Sequence, residues 1–247
     1  MKHYFVFDGV DSRDFFTDIC EQNAYDAPAR EYTRIDIPGR NGQLLIDEGR
    51  YPNVPMEYSV IMVDHFRQHI DRLRNSLLTR VGYKRLEDTY HPDEFYSAVY
   101  TGGFEVTTTP HTTVGKFVLS FERKPQRWLK SGENTHTCED SLVLVNPELT
   151  NAKPLIRVYG NGGSFYVNGQ AITIGFPTGI DPGYIDIDSE TENVYKGNDY
   201  YNGSVVFAGY KFPELKPGEN EIIIDRSGGS PTQYLPKIEI IPRWYRL

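Results

Sequence analysis

Short segments in which apolar and polar residues alternate run along nearly the whole chain, and this period of two constrains the fold most. Ile35 and Ile37, for example, alternate with charged residues. The pattern is typical of β-strands that bury one face. Turn-forming residues separate the segments. The best two-residue hairpin turn is Asn168-Gly169, because Asn and Gly both tolerate a positive φ. The sequence therefore predicts a mainly β protein.

One stretch has the period of an amphipathic helix instead. Residues 64–80 place four apolar side chains at spacings of four, three and four, which puts them on one helix face. Asp64 can cap the start of this helix, and Gly82 follows its end. We expect it to be the only long helix and to cover an open face of the first sheet. The four apolar residues are Phe66, Ile70, Leu73 and Leu77.

A polar stretch that begins at Ser131 separates two regions of different pattern. The region before it contains the helix, whereas the region after it has strands and turns without a helical period. We therefore predict an N-terminal β domain over residues 1–130, a linker over 131–150 and a C-terminal β-sandwich over 151–247.

Charge and composition disfavour several classes of protein. The chain has 34 Asp and Glu against 26 Lys and Arg, a formal net charge of −8, whereas nucleic-acid binding requires a basic surface. The two cysteines, Cys20 and Cys138, are too few for a disulfide scaffold and form no CxxC zinc motif. No apolar run approaches the roughly 18 residues of a membrane span, so we expect no membrane insertion.

The first residues do not resemble a signal peptide. Asp8, Asp11 and Asp14 stand where a signal peptide would carry its apolar stretch. We therefore expect a protein that is made in the cytoplasm and is reduced there.

Few residues have spacings that indicate metal or cofactor binding. His65 and His69 share a helix face, but Phe66 stands where a zinc metalloprotease requires Glu. We interpret the two histidines as a solvated or subunit-facing helix edge. The glycines at 160, 162 and 163 lack the Lys-Ser/Thr ending and the following helix of a phosphate-binding loop. We expect no metal and no cofactor.

Two pairs of acidic residues could, in principle, serve a glycoside hydrolase. Asp186 and Asp188 alternate along one segment, as do Glu219 and Glu221 along another. Glycoside hydrolysis requires two carboxylates that face each other across about 5–10 Å, which alternation alone does not provide. We predict that both pairs lie on solvated strand faces, and we predict no catalytic residue.

Aromatic residues in the C-terminal half could bind either a sugar or a protein. Tyr200 and Tyr201 lie in a loop-like segment, and Trp244 stands between Arg243 and Tyr245. Tyr, Trp and Arg are enriched at protein interfaces. We predict that Tyr200, Tyr201 and Trp244 lie on the surface of the C-terminal domain.

Several segments resemble one family, the distal tail proteins of siphophages. Residues 35–62 are similar to the N-terminal signature of that family, and four later runs are similar to its galectin-like module: 151–169, 184–197, 212–222 and 238–247. The matching residues of the N-terminal signature are Pro38, Gly39, Arg40, Asn41, Gly42, Gly49, Tyr51 and Asn53.

The resemblance implies a structural virion protein rather than an enzyme. Proteins of this kind form a six-fold ring, a homohexamer, at the tip of a long non-contractile phage tail. The N-terminal domains build the ring, between the tail tube protein and the tail-associated fibre or lysin protein, and the galectin-like domains project outward. A place in the virion, of a phage or a prophage, is therefore expected after assembly in the host cytoplasm.

Within this family resemblance, we hypothesise that the Pro38–Gly42 loop and the helix lie in or beside the ring contacts. Arg40 lies in that loop, and Arg67 and Arg74 give the helix a charged flank. Two alternatives remain open. One is a lectin-like protein whose C-terminal sandwich binds a host cell-wall glycan, and the other is a glycoside hydrolase.

Overall fold

The computed structural model describes residues 3–23, 25–102, 106–107, 114–177, 179–227 and 234–247. The chain divides into two compact units. The first unit comprises Met1–Arg127 with Leu247, and the second unit comprises Trp128–Arg246. Both consist mainly of strands, and α1, Phe66–Leu78, is the only α-helix among the described residues. The prediction of a mainly β protein with one long helix and a C-terminal sandwich is confirmed.

A large sheet forms most of the first unit, in the strand order β2-β1-β7-β8-β10-β6-β3 with β9 beside β10. Strands β4 and β5 form a separate two-stranded sheet. Up to β10, the strands are β1 (Phe5–Phe7), β2 (Val10–Asp11), β3 (Thr17–Gln22), β4 (Tyr32–Asp36), β5 (Gln43–Asp47), β6 (Val54–Met62), β7 (Lys84–Asp88), β8 (Glu94–Tyr100), β9 (Val106–Thr107) and β10 (Gly115–Leu129).

Helix α1 packs its apolar stripe into the core of this unit. Its four predicted apolar residues are all buried, in one cluster with the sheet residues. The ring of Phe66 lies against Gly115 at the start of β10, where a Cβ atom would collide with it. The prediction of Asp64 as helix cap is wrong. His65 is the N-cap residue, with a left-handed φ of 47°, and Asp64 accepts a hydrogen bond from its amide N–H at 2.8 Å.

Two sheets packed around one apolar core form the second unit. Their strand orders are β11-β21-β13-β16-β17-β18 and β12-β20-β14-β15-β19. The strands of these two sheets are β11 (His136–Cys138), β12 (Ser141–Asn146), β13 (Leu155–Tyr159), β14 (Gly162–Val167), β15 (Gln170–Gly175), β16 (Tyr184–Asp188), β17 (Asn193–Lys196), β18 (Asp199–Tyr200), β19 (Val205–Phe207), β20 (Gly218–Ile224) and β21 (Ile238–Ile241). The last strand, β22 (Tyr245–Arg246), pairs with β10 instead.

Two local features of the second unit bear on the sequence predictions. Asn168 and Gly169 join β14 to β15 with φ values of 50° and 79°, and two positive values are those of a type I′ turn. This hairpin was predicted and is confirmed. The segment 131–150, predicted as a linker, contains β11 and β12, which pair with β21 and β20.

Among the described residues, no helix has the length and apolar content that a membrane span requires.

Candidate interaction surface: the β4–β5 hairpin

The β4–β5 hairpin, residues 32–47, contains the predicted Pro38–Gly42 loop at its tip. Every residue of the hairpin is exposed. Among the described residues, it pairs with none of the three larger sheets. An isolated two-stranded hairpin is at best marginally stable in water, and its open edges can pair with another chain.

The strand register gives the hairpin one apolar face and one polar face. Ile35 lies opposite Leu44, and Thr33 lies opposite Ile46. Because side chains alternate between the two faces of a strand, these residues share one face. The other face carries mostly polar groups, such as the Gln43 amide, which donates to the Asp36 carboxylate at 2.9 Å. The large apolar residues of the first face are 36–47% exposed: Ile35, Ile37, Leu44 and Ile46.

Glycines set the shape of the hairpin tip. Gly39 and Gly42 have φ values of 78° and 83°, a left-handed conformation that favours glycine. The amide N–H of Arg40 donates to the Ile37 carbonyl at 3.1 Å, which closes the turn. Pro38, Arg40 and Asn41 are exposed at this tip.

Ion pairs fix the base of the hairpin. The Arg30 guanidinium binds both carboxylate oxygens of Asp47, with Nε–Oδ distances of 2.9 and 2.8 Å, and Arg50 binds Glu31 at 2.8 Å. The hydrogen bonds from Arg30 lower the pKa of Asp47 below its ordinary value. Exposed ion pairs contribute little to stability, so these contacts orient the hairpin more than they stabilise it.

A buried arginine anchors the segment that leads into the hairpin. Arg123 of β10 is almost fully buried, and its Nη2 atom donates to the Asp26 carbonyl at 2.5 Å. Asn23 adds a second anchor, since its side-chain oxygen accepts from the Glu57 amide N–H at 2.6 Å. The alternating pattern gave no signal for Arg123, because a charged residue at a strand position is normally read as solvent-facing.

The predicted helix residues lie at the surface of α1. Arg67 is exposed, and Arg74 is partly exposed and forms an ion pair with Asp71 at 3.1 Å. Phe16 lies beside both helix histidines, with ring centroids 5.6 Å from His65 and 5.2 Å from His69. In the part of the chain that the structure describes, no group of three or more His, Cys, Asp or Glu is placed to hold a metal ion.

The two acidic pairs of the second unit differ from each other. The predicted solvated face is wrong for Asp186 and Asp188, which are buried and pair with Arg157 and Arg243, each at 2.7 Å. A strand can bury a carboxylate when a neighbouring strand or loop supplies a matching guanidinium.

Glu219 and Glu221 of β20 are both exposed, so the prediction of a solvated face is confirmed for this second pair. They lie opposite Val145 and Val143 of β12, which are exposed as well.

The three predicted surface aromatics occupy different environments. Tyr200 is exposed, and Tyr201 is half-buried with its ring centroid 6.0 Å from that of Phe176. Trp244 is only 5% exposed and lies in the sandwich core. Its predicted surface position is wrong, because the C-terminal segment packs this indole inward.

Comparisons with known proteins identify the fold. No protein-family model matches the sequence, and none of the curated proteins searched matches it. The crystal structure of SPP1 Dit (gp 19.1) matches with a TM-score of 0.71 and 17% sequence identity, over 100% of both chains. The chain has the fold of SPP1 Dit. Because both chains are fully covered, this shared fold includes both units.

The phage P2 baseplate in its activated conformation gives two further matches. The structures with Ca and with Sr each have a TM-score of 0.47 and 10% identity. The match covers 97% of both chains in the first case, and 100% of this chain and 98% of the other in the second.

Proposed function

We propose that the chain is a structural hub protein at the distal tip of a long, non-contractile phage tail. The observation that carries this proposal is the fold shared over the whole chain with SPP1 Dit, which is described as a paradigm of the hub adsorption apparatus in phages that infect Gram-positive bacteria. In this role, copies of the chain form a six-fold ring between the tail tube protein and the tail-associated fibre or lysin protein. The second unit acts as the outward, galectin-like domain.

The β4–β5 hairpin supports a role in contacts between copies of the chain. A closed ring uses head-to-tail contacts, in which each copy offers two different surfaces. The side chains of Ile35, Leu44 and Ile46 on the apolar face are 42–47% exposed, and this face suits one of these surfaces. Arg40 at the hairpin tip, with Arg67 and Arg74 on α1, would add charged contacts at the same ring interface.

Two neighbouring leucines provide a matched test. Leu44 lies on the apolar face and Leu45 on the polar face, and they are 47% and 56% exposed. In the proposed ring, Leu44→Lys places an ammonium in an apolar contact, which costs several kcal/mol unless the charge is paired. Leu45→Lys adds the same charge on the solvent side.

The assembly of both variants is measured by light scattering and negative-stain electron microscopy. We expect Leu44→Lys to abolish the ring and Leu45→Lys to retain it, with both variants folded by circular dichroism. An intact ring of Leu44→Lys would overturn the hairpin contact.

A non-enzymatic role agrees with the paired acids of the second unit. A glycoside hydrolase needs one carboxylate free to transfer a proton and a second as base or nucleophile. Asp186 and Asp188 are each held by an arginine, which favours a structural role for both. Carbohydrate binding without catalysis is the second candidate, and a cleft in the second unit favours it.

A further inference from the structure

A cleft of about 540 Å³ opens at one end of the second unit. Four chain segments line it: the residues before β13, the β14–β15 turn, the β16–β17 turn and the stretch before β20. Its volume lies within the roughly 300–1,000 Å³ typical of small-molecule sites. None of its lining residues belongs to the β4–β5 hairpin.

The side chain of Tyr210, one of the residues that line this cleft, is almost fully exposed to solvent. Tyr210 is 98% exposed and has a φ of 57°, directly after Gly209 with a φ of 78°. A bulky residue in the left-handed region is uncommon and costs energy. The Gln170 side chain holds this segment, because its amide group donates to the carbonyls of Ala208 and Lys211 at 3.0 and 2.6 Å. The fold therefore keeps the Tyr210 ring exposed, although the left-handed backbone conformation of this residue costs free energy.

Charged groups of both signs surround the ring. Lys153, Lys211 and Lys216 line the cleft together with Glu192 and Glu214. Residues 128–246 contain 10 Lys and Arg against 15 Asp and Glu, so three of ten basic residues are concentrated in one cleft of an acidic unit.

Two of these lysines are available to a ligand. Among the described residues, neither Lys211 nor Lys216 has an ion-pair partner within 4.0 Å. The contact of Lys153 to Glu190 is long, at 3.9 Å. Glu214 is oriented by the Asn151 amide, which donates to it at 2.9 Å.

We propose that this cleft binds an acidic oligosaccharide. The Tyr210 ring offers a flat apolar surface to the C–H face of a sugar ring. Lys211 and Lys216 pair with a carboxylate or phosphate substituent, and the carboxylates of Glu192 and Glu214 accept hydrogen bonds from sugar hydroxyls. The proposal rests on the second candidate function, carbohydrate binding, and none of the lining residues is a hairpin residue, so glycan titration tests it apart from ring assembly.

The combination of a tyrosine, two lysines and two glutamates in the cleft favours an acidic oligosaccharide over other ligands. A nucleic acid requires an extended basic surface, which an acidic unit with two glutamates in the cleft does not offer. A neutral sugar would use Tyr210 and the glutamates but would leave both lysines unpaired.

Calorimetric titration of the full-length protein tests the proposal with three probes. Alginate oligosaccharides carry carboxylates, ribitol phosphate oligomers carry phosphates, and maltooligosaccharides are neutral. We expect at least one of the two acidic probes to bind and the neutral probe not to bind. Binding of alginate alone or of the phosphate oligomer alone identifies the acidic group.

Variants of cleft residues, each with a matched control, test whether the oligosaccharide binds at this cleft. We expect Tyr210→Ala to weaken binding about tenfold and the double variant Lys211→Gln, Lys216→Gln to abolish the preference for acidic probes. The controls are Tyr25→Ala, an exposed tyrosine of the first unit, and Lys116→Gln, Lys124→Gln, two exposed lysines of the same unit. These should bind like the unaltered protein. Failure of both acidic probes to bind, or equal effects of cleft and control variants, would overturn the proposal.

Discussion

Asp188 shows how one buried carboxylate is held in the second unit. Its oxygens accept hydrogen bonds from the Arg243 guanidinium at 2.7 and 3.2 Å, and from the amide N–H of Glu190 at 2.9 Å. Burial alone would raise the pKa of Asp188, but the hydrogen bonds and charge of Arg243 outweigh burial and lower it below its ordinary value. The carboxylate is therefore ionised at neutral pH, where the pair is complete.

Loss of this carboxylate should destabilise the protein far more than loss of an exposed one. Asp188→Ala leaves Arg243 without its partner, and we expect the free energy of unfolding to fall by about 3 kcal/mol. The matched control Glu219→Ala removes an exposed carboxylate of the same unit and should change it by less than about 0.5 kcal/mol. Urea unfolding at pH 7 measures both. An equally small loss of unfolding free energy in both variants would contradict a buried Asp188–Arg243 ion pair.

His91 belongs to a polar cluster in the first unit that the sequence did not indicate. Burial lowers the pKa of its imidazole; the charges of Asp88 and Glu94 oppose this effect, and the guanidinium groups of Arg127 and Arg123 add to it. The Nη1 atom of Arg127 lies 3.4 Å from Nε2 of His91. Because a guanidinium only donates, Nε2 accepts, and the neutral ring carries its proton on Nδ1.

A lowered pKa at His91 makes stability depend on pH. Above the ordinary histidine pKa of about 6.5, the ring is neutral in both the folded and the unfolded state. As the pH falls below that value, the unfolded state binds a proton first, so stability decreases until the folded pKa is passed. We expect an NMR titration of His91 to give a midpoint below about 6.5. The pH-dependent loss of stability should shrink in His91→Gln. A midpoint above that value would contradict the buried, neutral ring.

Helix α1 and the β4–β5 hairpin show what a periodic pattern can and cannot predict. The spacing of four, three and four placed all four stripe residues of α1 correctly, because only the core-facing side of a helix accepts a continuous apolar stripe. The same reasoning predicts that Ile35 and Ile37 share one face of a strand. It does not reveal whether this face is buried, and here the side chains of Ile35 and Ile37 are 42% and 36% exposed.

The helix stripe can be tested by truncating one buried side chain. Leu73 is fully buried in the core beneath α1, and Leu73→Ala should lower the free energy of unfolding by about 2–5 kcal/mol, through lost burial and a residual cavity. Arg72→Ala, the exposed neighbour, should change it by less than about 0.5 kcal/mol. Thermal or urea unfolding measures both. A loss in the Arg72 variant as large as in the Leu73 variant would contradict the orientation of the helix.

On the scale of the whole molecule, the sequence predicted the fold class but not the environment of its charged and aromatic residues. Alternation and turn residues were sufficient for a β protein, since each strand needs one buried face. Asp186 and Trp244 were misplaced because their surroundings depend on Arg157 and on the sandwich core, which are remote in sequence. Pairing across long sequence separations leaves no local pattern.

The polar composition at the start of segment 131–150 led to the prediction of a linker, whereas this segment contains two strands. Its first eleven residues are mostly polar and Leu142–Val145 are apolar, yet β11 and β12 both pair with strands of the second unit, β21 and β20. Strands at a sheet edge have only one neighbour and can be polar, so composition alone does not distinguish them from a linker.

We propose that copies of this chain assemble into a ring. Light scattering of the purified protein over a concentration series, with negative-stain images of the same fractions, tests it most directly. A hexamer of a 28.3 kDa chain has a mass of about 170 kDa, six times that of the monomer. We expect a particle of that mass with a ring-shaped image. A monomer of 28.3 kDa at every concentration, without rings in the images, would contradict ring assembly.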